Sequence, residues 1–167
     1  MLISYGDGIT MICSFLFCVF YENFLHKASH YKESGHLYKW HKLHHKDYPA
    51  KRLESDTYID SAKWYNNMFV FWICMAQLYI YMSTSFRVFT IFTMETSIYS
   101  FSVSYFHEQF HIKNSWWLRY EWFRHFKKNH LIHHMKHTKN FGILTNSMDK
   151  LNQTYIYDDQ IYLKYFD

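Results

Sequence analysis

Ten of the chain's 13 histidines stand in four short clusters, and any fold that satisfies them has to bring segments far apart in sequence to one place. The clusters alternate between H-x-x-x-H and H-x-x-H-H. His26 and His30 are followed by His41, His44 and His45; His107 and His111 are followed by His130, His133 and His134. On a helix, residues three or four apart share a face, so each cluster aims its imidazoles in one direction. Ten converging imidazoles fill most of the coordination positions of two transition metals, and the spacing predicts a two-metal centre. Imidazole accepts iron, zinc, copper and nickel about equally well, so the donors narrow the metal without naming it. A structural zinc site needs only four ligands and favours cysteine. A metal buffer or transporter would place its histidines in irregular tracts or inside a membrane. His36, His125 and His137 lie outside the clusters and are expected at the surface or beside the ligands.

The 167 residues suffice for one domain, 1–167, with little room for a second. With one proline and four glycines, no linker or low-complexity segment marks an internal boundary. The hydrophobic fraction is 49%, loaded into 16 Phe, 16 Tyr and 6 Trp, a composition that suits a membrane or lipid-binding protein. The mean hydropathy of −0.34 pulls the other way, as expected when short apolar segments alternate with polar, histidine-rich ones. Cys13, Cys18 and Cys74 show no C-x-x-C spacing and are expected to be buried thiols in a reducing compartment. Nothing resembles a nucleic-acid module, so the net charge of +4 is not read as one.

Three apolar stretches define the expected topology, an all-α membrane bundle. From Trp64 to Phe86 no residue is charged, which makes this the strongest membrane-crossing candidate. The stretch 88–106, interrupted by Glu95 and several hydroxyls, is a weaker second candidate, and the two form a hairpin with its tip near Arg87. Residues 1–25 carry Asp7 and Glu22 and span only with tilt or thinning. A signal peptide is the competing reading there, but no basic residue precedes Lys27 and no small-residue cleavage site follows the apolar run. A hairpin returns the chain to the side it left, so all four clusters fall on one face in a helical cap. Of 18 Lys and Arg, 8 lie between His26 and Lys63 and 9 lie after His107, which marks that face as cytosolic. The competing fold is a soluble bundle with two buried helices.

Several single residues carry narrower expectations. Glu22, four residues before His26, either accepts a hydrogen bond from the His26 ring or simply ends the membrane segment. Glu95 either faces a cavity or is paired near Thr93 and Thr96. Asn140 and Gly142 are expected to set the turn after the last helix, with Gly at the C-cap. Basic clusters such as Lys127 and Lys128 either attract anionic lipid heads or an acidic electron carrier, or are ordinary solvated charges. The tyrosine-rich tail from Asn152 to Asp167 is expected to cover the site, to lie on headgroups, or to fray.

With these residues in view, the chain is similar to the fatty acid hydroxylase and sterol desaturase superfamily of membrane di-iron oxygenases, from about His26 to Thr154. The boxes HKASH, HKLHH, HEQFH and HLIHH stand in the family's order, with the hydrophobic hairpin between the second and third. HTKNFG resembles the family's H-x-x-N-F-G, and MDKLNQT lies where the family often has W-D-x-L-F-G-T, departing from it at Met148 and Gln153. The resemblance implies that the ten clustered histidines hold two irons, for which zinc can substitute in a purified protein. It implies dioxygen as co-substrate and electrons from a reductase through cytochrome b5 or a ferredoxin. The implied reaction takes hydrogen from a C–H bond of a fatty acyl or sterol-like lipid in an endoplasmic-reticulum-like membrane. Oxygen insertion gives an alcohol, and removal of a second hydrogen gives a double bond. The two H-x-x-x-H pairs resemble the hydroxylase pattern. A desaturase or methyl oxidase acting on sterols or carotenoids is the alternative, as is an inactive metal-binding membrane protein. No haem domain fits here, so an external electron donor is implied.

Overall fold

The computed structural model describes residues 4–61 and 67–157, with side chains in the third helix from residue 71 onward. The start of the predicted second segment, at 62–66, and the tail beyond Tyr157, with Tyr162 and Tyr165, lie outside the described residues. Six α-helices account for the fold: α1 (Tyr5–Ala28), α2 (His36–Asp47), α3 (Asn67–Ser83), α4 (Phe86–Phe110), α5 (Glu121–Met135) and the short α6 (Ser147–Leu151). The described residues contain no strand, only an isolated bridge between Ser55 and Ile112.

Helix α1 starts where the Ser4 hydroxyl accepts the Asp7 N–H and the Asp7 carboxylate accepts the Ser4 N–H, a reciprocal cap. Asp7 also receives Arg87 Nε at 2.6 Å, which ties the start of α1 to the start of α4. Ser14 then donates to Glu95 at 2.5 Å, and Tyr99 to Glu22 at 2.5 Å. Partners that rise together along both sequences mean that α1 and α4 run parallel, with their polar groups between them. Glu95 is therefore paired, but with Ser14 rather than a neighbour on its own helix. Helix α3 turns back at Thr84 and Ser85 to pack antiparallel on α4, where Gln77 Nε2 donates to Thr96 Oγ1 at 3.0 Å.

The outer faces of these three helices are apolar. Ile12, Leu16, Phe20 and Phe24 on α1, Phe71 and Leu78 on α3, and Ile98 and Phe101 on α4 are all at least half exposed. Among the described residues α1 is the one helix long and apolar enough to cross a membrane, whereas the apolar stretch of α3 is the shorter Phe71–Ser83. The expected leading stretch, 64–86, is described with side chains only from residue 71 onward, so it lies partly outside the described residues. The cap at Ser4 and the Arg87 partner of Asp7 hold that charge in the first turn of α1, ahead of its apolar run.

The parallel pair delivers its two C-terminal ends, with His26 and His107, to the same side, and α2 and α5 close over them. Helix α2 seats on α1 through Leu25, Leu37 and Trp40. Helix α5 seats on the end of α4 through Phe110, Phe123 and Ile143. The segments 53–55 and 111–113 meet through Ser55 N–H to the His111 carbonyl at 2.9 Å and Lys113 N–H to the Ser55 carbonyl at 3.0 Å. Lys127 pins that junction, pairing with Glu54 at 2.5 Å and donating to the Ile112 carbonyl at 2.6 Å. Lys127 and Lys128 are thus not a basic surface: both are buried, and the Lys128 ammonium lies over the Tyr157 ring.

Candidate metal centre

Imidazole nitrogens from all four clusters gather beneath α2 and α5 in two sets. His44, His107, His111, His130 and His134 form one; His26, His30, His41 and His133 form the other, and within each set the donor atoms lie within 4.8 Å of one another. His45 stands beside the second set, its Nε2 2.9 Å from His41 Nε2. With His45 counted there, the two sets are built alike. In each H-x-x-H-H box the i and i+4 residues turn to one set, and the i+3 residue turns to the other. Helix α2 sends His41 and His45 to the second set and His44 to the first; α5 sends His130 and His134 to the first and His133 to the second. Residues i and i+4 lie nearly over one another on a helix, while the i+3 residue falls on the opposite side of that line. The H-x-x-H-H spacing therefore lets one helix serve two centres. The H-x-x-x-H boxes, one at the end of α1 and one at the end of α4, each serve a single set.

Backbone carbonyls fix the rings. His26 Nδ1 donates to the Phe141 carbonyl at 2.5 Å, His111 Nδ1 to Leu53 at 2.8 Å, His133 Nδ1 to Lys139 at 2.7 Å and His134 Nδ1 to Tyr48 at 2.9 Å. A carbonyl can only accept, so in each ring the proton is on Nδ1 and Nε2 presents a lone pair. Those lone pairs converge. His134 Nε2 lies 3.0 Å from His44 Nε2 and 3.1 Å from His130 Nε2; His111 Nε2 lies 2.9 Å from His130 Nε2. In the second set His30 Nε2 lies 2.9 Å from His41 Nε2 and 3.1 Å from His133 Nε2.

The donor set fits a metal pair. Two nitrogens each about 2.1 Å from one ion and at right angles are about 3.0 Å apart, the separation found here. His26 Nε2 is buried with no hydrogen-bond partner, and a buried ring nitrogen left unpaired is costly unless something binds it. Burial, and after it the neighbouring imidazoles, hold His30 down to about 3 and keep His41, His44, His130 and His134 well below the usual histidine range. The rings are neutral at physiological pH, as metal ligands must be.

A loop after α5 supplies two of the orienting carbonyls, and its own support is elaborate. Asp149, fully buried, accepts the N–H groups of Phe141 at 3.0 Å and Gly142 at 2.7 Å, and the Thr154 hydroxyl at 2.6 Å. Asn140, at φ 54°, donates to the carbonyls of Asn129 and Ile156 and accepts the Ile156 N–H. Glu22 accepts the N–H groups of Ile143 and Leu144. Glu22 therefore does not bond to His26; it holds the loop whose Phe141 carbonyl does. Nor is Gly142 a helix C-cap, because α5 ends at Lys136. A Cβ at Gly142 would lie 1.9 Å from the Thr145 carbonyl oxygen, so the glycine allows a close backbone approach.

Of the three remaining histidines, His36 opens α2 on the surface, and His125 Nε2 accepts from the side-chain amides of Asn129 and Asn146, away from both sets. His137 is exposed, yet its ring is 4.4 Å from His45 and 5.8 Å from His30. A cavity of about 150 Å³ reaches the rings from the helix side, lined by Cys18, Tyr21, Ile73, Tyr99 and Val103 and ending on His26, His41, His44 and His107. A second cleft, containing Lys27, Lys42, Tyr31 and Tyr38, borders His30, His45 and His137.

A sequence model of the fatty acid hydroxylase family matches residues 11–154. The chain belongs to the fatty acid hydroxylase family. This family is one of oxygenases, so the chain is assigned to the oxidoreductases, with a histidine cluster suited to metal. No curated protein and no solved structure gives a significant match.

Proposed function

We propose that this member of the fatty acid hydroxylase family is a membrane-embedded, dioxygen-dependent di-iron enzyme that hydroxylates a lipid C–H bond. The observation that carries the reading is the pair of imidazole sets bordering a cavity with largely apolar walls. His44, His107, His111, His130 and His134 would hold one iron; His26, His30, His41, His45 and His133 would hold the other. Bound there, the irons would supply the dioxygen activation and C–H cleavage that protein side chains cannot perform. The chain's own part is positioning. Carbonyls of Tyr48, Leu53, Lys139 and Phe141 aim four rings. The largely apolar walls of the cavity would guide an apolar substrate to the face formed by His26, His41, His44 and His107.

The exposed apolar faces of α1, α3 and α4 support a bilayer position for this half of the molecule, since contiguous apolar surface of that extent calls for lipid or a partner. The charge distribution supports a cytosolic, endoplasmic-reticulum-like placement of the histidine end. Insertion of one oxygen atom consumes two electrons and two protons per dioxygen, with water as the other product. An external carrier such as cytochrome b5 or a ferredoxin would deliver the electrons, one at a time, with the protons drawn from water, and the cleft with Lys27 and Lys42 beside His30 and His45 suits an acidic carrier.

Expression in eukaryotic cells of the intact chain and of a His133→Ala, His134→Ala double variant, followed by mass spectrometry of total lipids and sterols, tests the proposal. A lipid bearing one added oxygen only with the intact chain is the expected result. A species short of two hydrogens would instead assign a desaturase. An unchanged lipid profile together with a protein that takes up no iron would refute the enzyme.

A further inference from the structure

Ten neutral imidazoles leave two divalent irons with their full charge, unlike carboxylate-ligated pairs in which glutamates offset it. Charge of that size in a buried site calls for anions nearby. Two carboxylates stand behind the second imidazole set. Glu22 is 6% exposed and Asp149 is 0% exposed, and among the described residues neither makes an ion pair. Their partners are backbone N–H groups and the hydroxyls of Tyr99 and Thr154, which satisfy hydrogen bonds without cancelling charge. A buried carboxylate with no cation beside it is costly, the more so for Glu22 in an apolar helix.

Both carboxylates grip one short loop. Asp149 takes the N–H groups of Phe141 and Gly142; Glu22 takes those of Ile143 and Leu144. The Phe141 carbonyl accepts His26 Nδ1–H, so a carboxylate, a peptide unit and an imidazole stand in series. Glu22 is also one helical turn ahead of His26 and lines the same cavity.

Building on the di-iron reading, we infer that Glu22 and Asp149 are the counter-charges of the metal centre, holding it in its more oxidised, more highly charged state. Neither belongs to the imidazole sets; they act through the loop and through space on the second of them.

Glu22→Gln separates charge from hydrogen bonding. The glutamine carbonyl can still accept Ile143 N–H, and its amide can donate to the Tyr99 oxygen. Tyr99→Phe does the reverse, removing a hydrogen bond and keeping the charge. The full-length protein in nanodiscs would be loaded with iron, its ferric/ferrous midpoint potential read by mediated titration, and its metal-free form melted. With Glu22→Gln the potential should rise, ferric iron being held about tenfold less tightly relative to ferrous, within the range that changes behind a ligand produce. The metal-free variant should melt at or above the wild-type temperature, because a buried carboxyl with no cation partner is gone. Tyr99→Phe should not raise the potential. An unchanged potential in Glu22→Gln, an equal rise in Tyr99→Phe, or a metal-free Glu22→Gln protein that fails to fold would each overturn the inference while leaving the di-iron reading intact. A wild-type chain that takes up no iron, cobalt or zinc would remove that reading, and this inference with it.

Discussion

At the scale of single residues, the site depends on atoms that are not ligands. Gly142 is the sharpest case. Its missing Cβ leaves room for the Thr145 carbonyl and the Asp149 carboxylate, and the loop it belongs to aims His26 and His133. Gly142→Ala is expected to cost about 3 kcal/mol or more, since the clash is with backbone that cannot rotate away. Thermal melting of the metal-free protein would register the loss, and the iron content should fall with it; a variant that melts like wild type would mean that the loop can relax. In the sequence this glycine reads as a helix end, because a Gly soon after a helical stretch is most often a C-cap. The clash arises from residues three and seven positions later, which local pattern cannot weigh.

Among the elements, α5 is the most heavily committed, carrying ligands for both sets and anchored at its middle by Lys127. The Lys127 side chain is 3% exposed and its partner Glu54 15%. Removing one member leaves the other charge buried, so Lys127→Ala should destabilise the fold by roughly 3–5 kcal/mol. Replacing both, with Lys127→Met and Glu54→Met, should recover most of that, because apolar contacts substitute for the pair. Chemical denaturation of the two variants beside wild type gives the comparison, and a double variant no better than the single would show the pair to be irreplaceable. Lys127 and Lys128 look in the sequence like a basic patch. Neighbouring lysines on a short polar helix carry no sign that one of them meets a glutamate 73 positions earlier. The same limit applies to α1 and α4, whose Asp7–Arg87 and Ser14–Glu95 pairs put polar groups inward where hydropathy marks interruptions.

For the whole molecule, the gathered neutral histidines make stability depend on pH. In the metal-free fold His30 and His111 are held near 3 by burial, and His41, His44, His130 and His134 well below their ordinary range. Above about pH 6.5 folded and unfolded chains bind the same protons at these rings. Below it the unfolded chain takes up protons that the folded chain refuses, so stability falls as pH falls from about 6.5 toward 3. Each such ring steepens the fall by up to about 1.4 kcal/mol per pH unit. Melting temperatures of the metal-free protein between pH 8 and pH 5 should drop steeply on the acid side; a flat profile would mean that the rings are solvated and unpaired. Bound metal should oppose the drop until protons displace it.

The sequence by itself determined the candidate ligand types, their number and their division into two kinds of box. These follow from residue identity and helical repeat, which are local properties. It also carried the family, because HKASH, HKLHH, HEQFH and HLIHH are contiguous strings. Only the tertiary structure decided which imidazole joins which set, sending His44 one way and His45 the other. It alone placed His137 beside His45 and Glu22 under the loop rather than on His26. Those assignments depend on the parallel pairing of α1 and α4, which brings the ends of two distant helices together. Partners separated by some 80 residues leave no periodic trace in either segment, so their geometry exists only once the chain has folded.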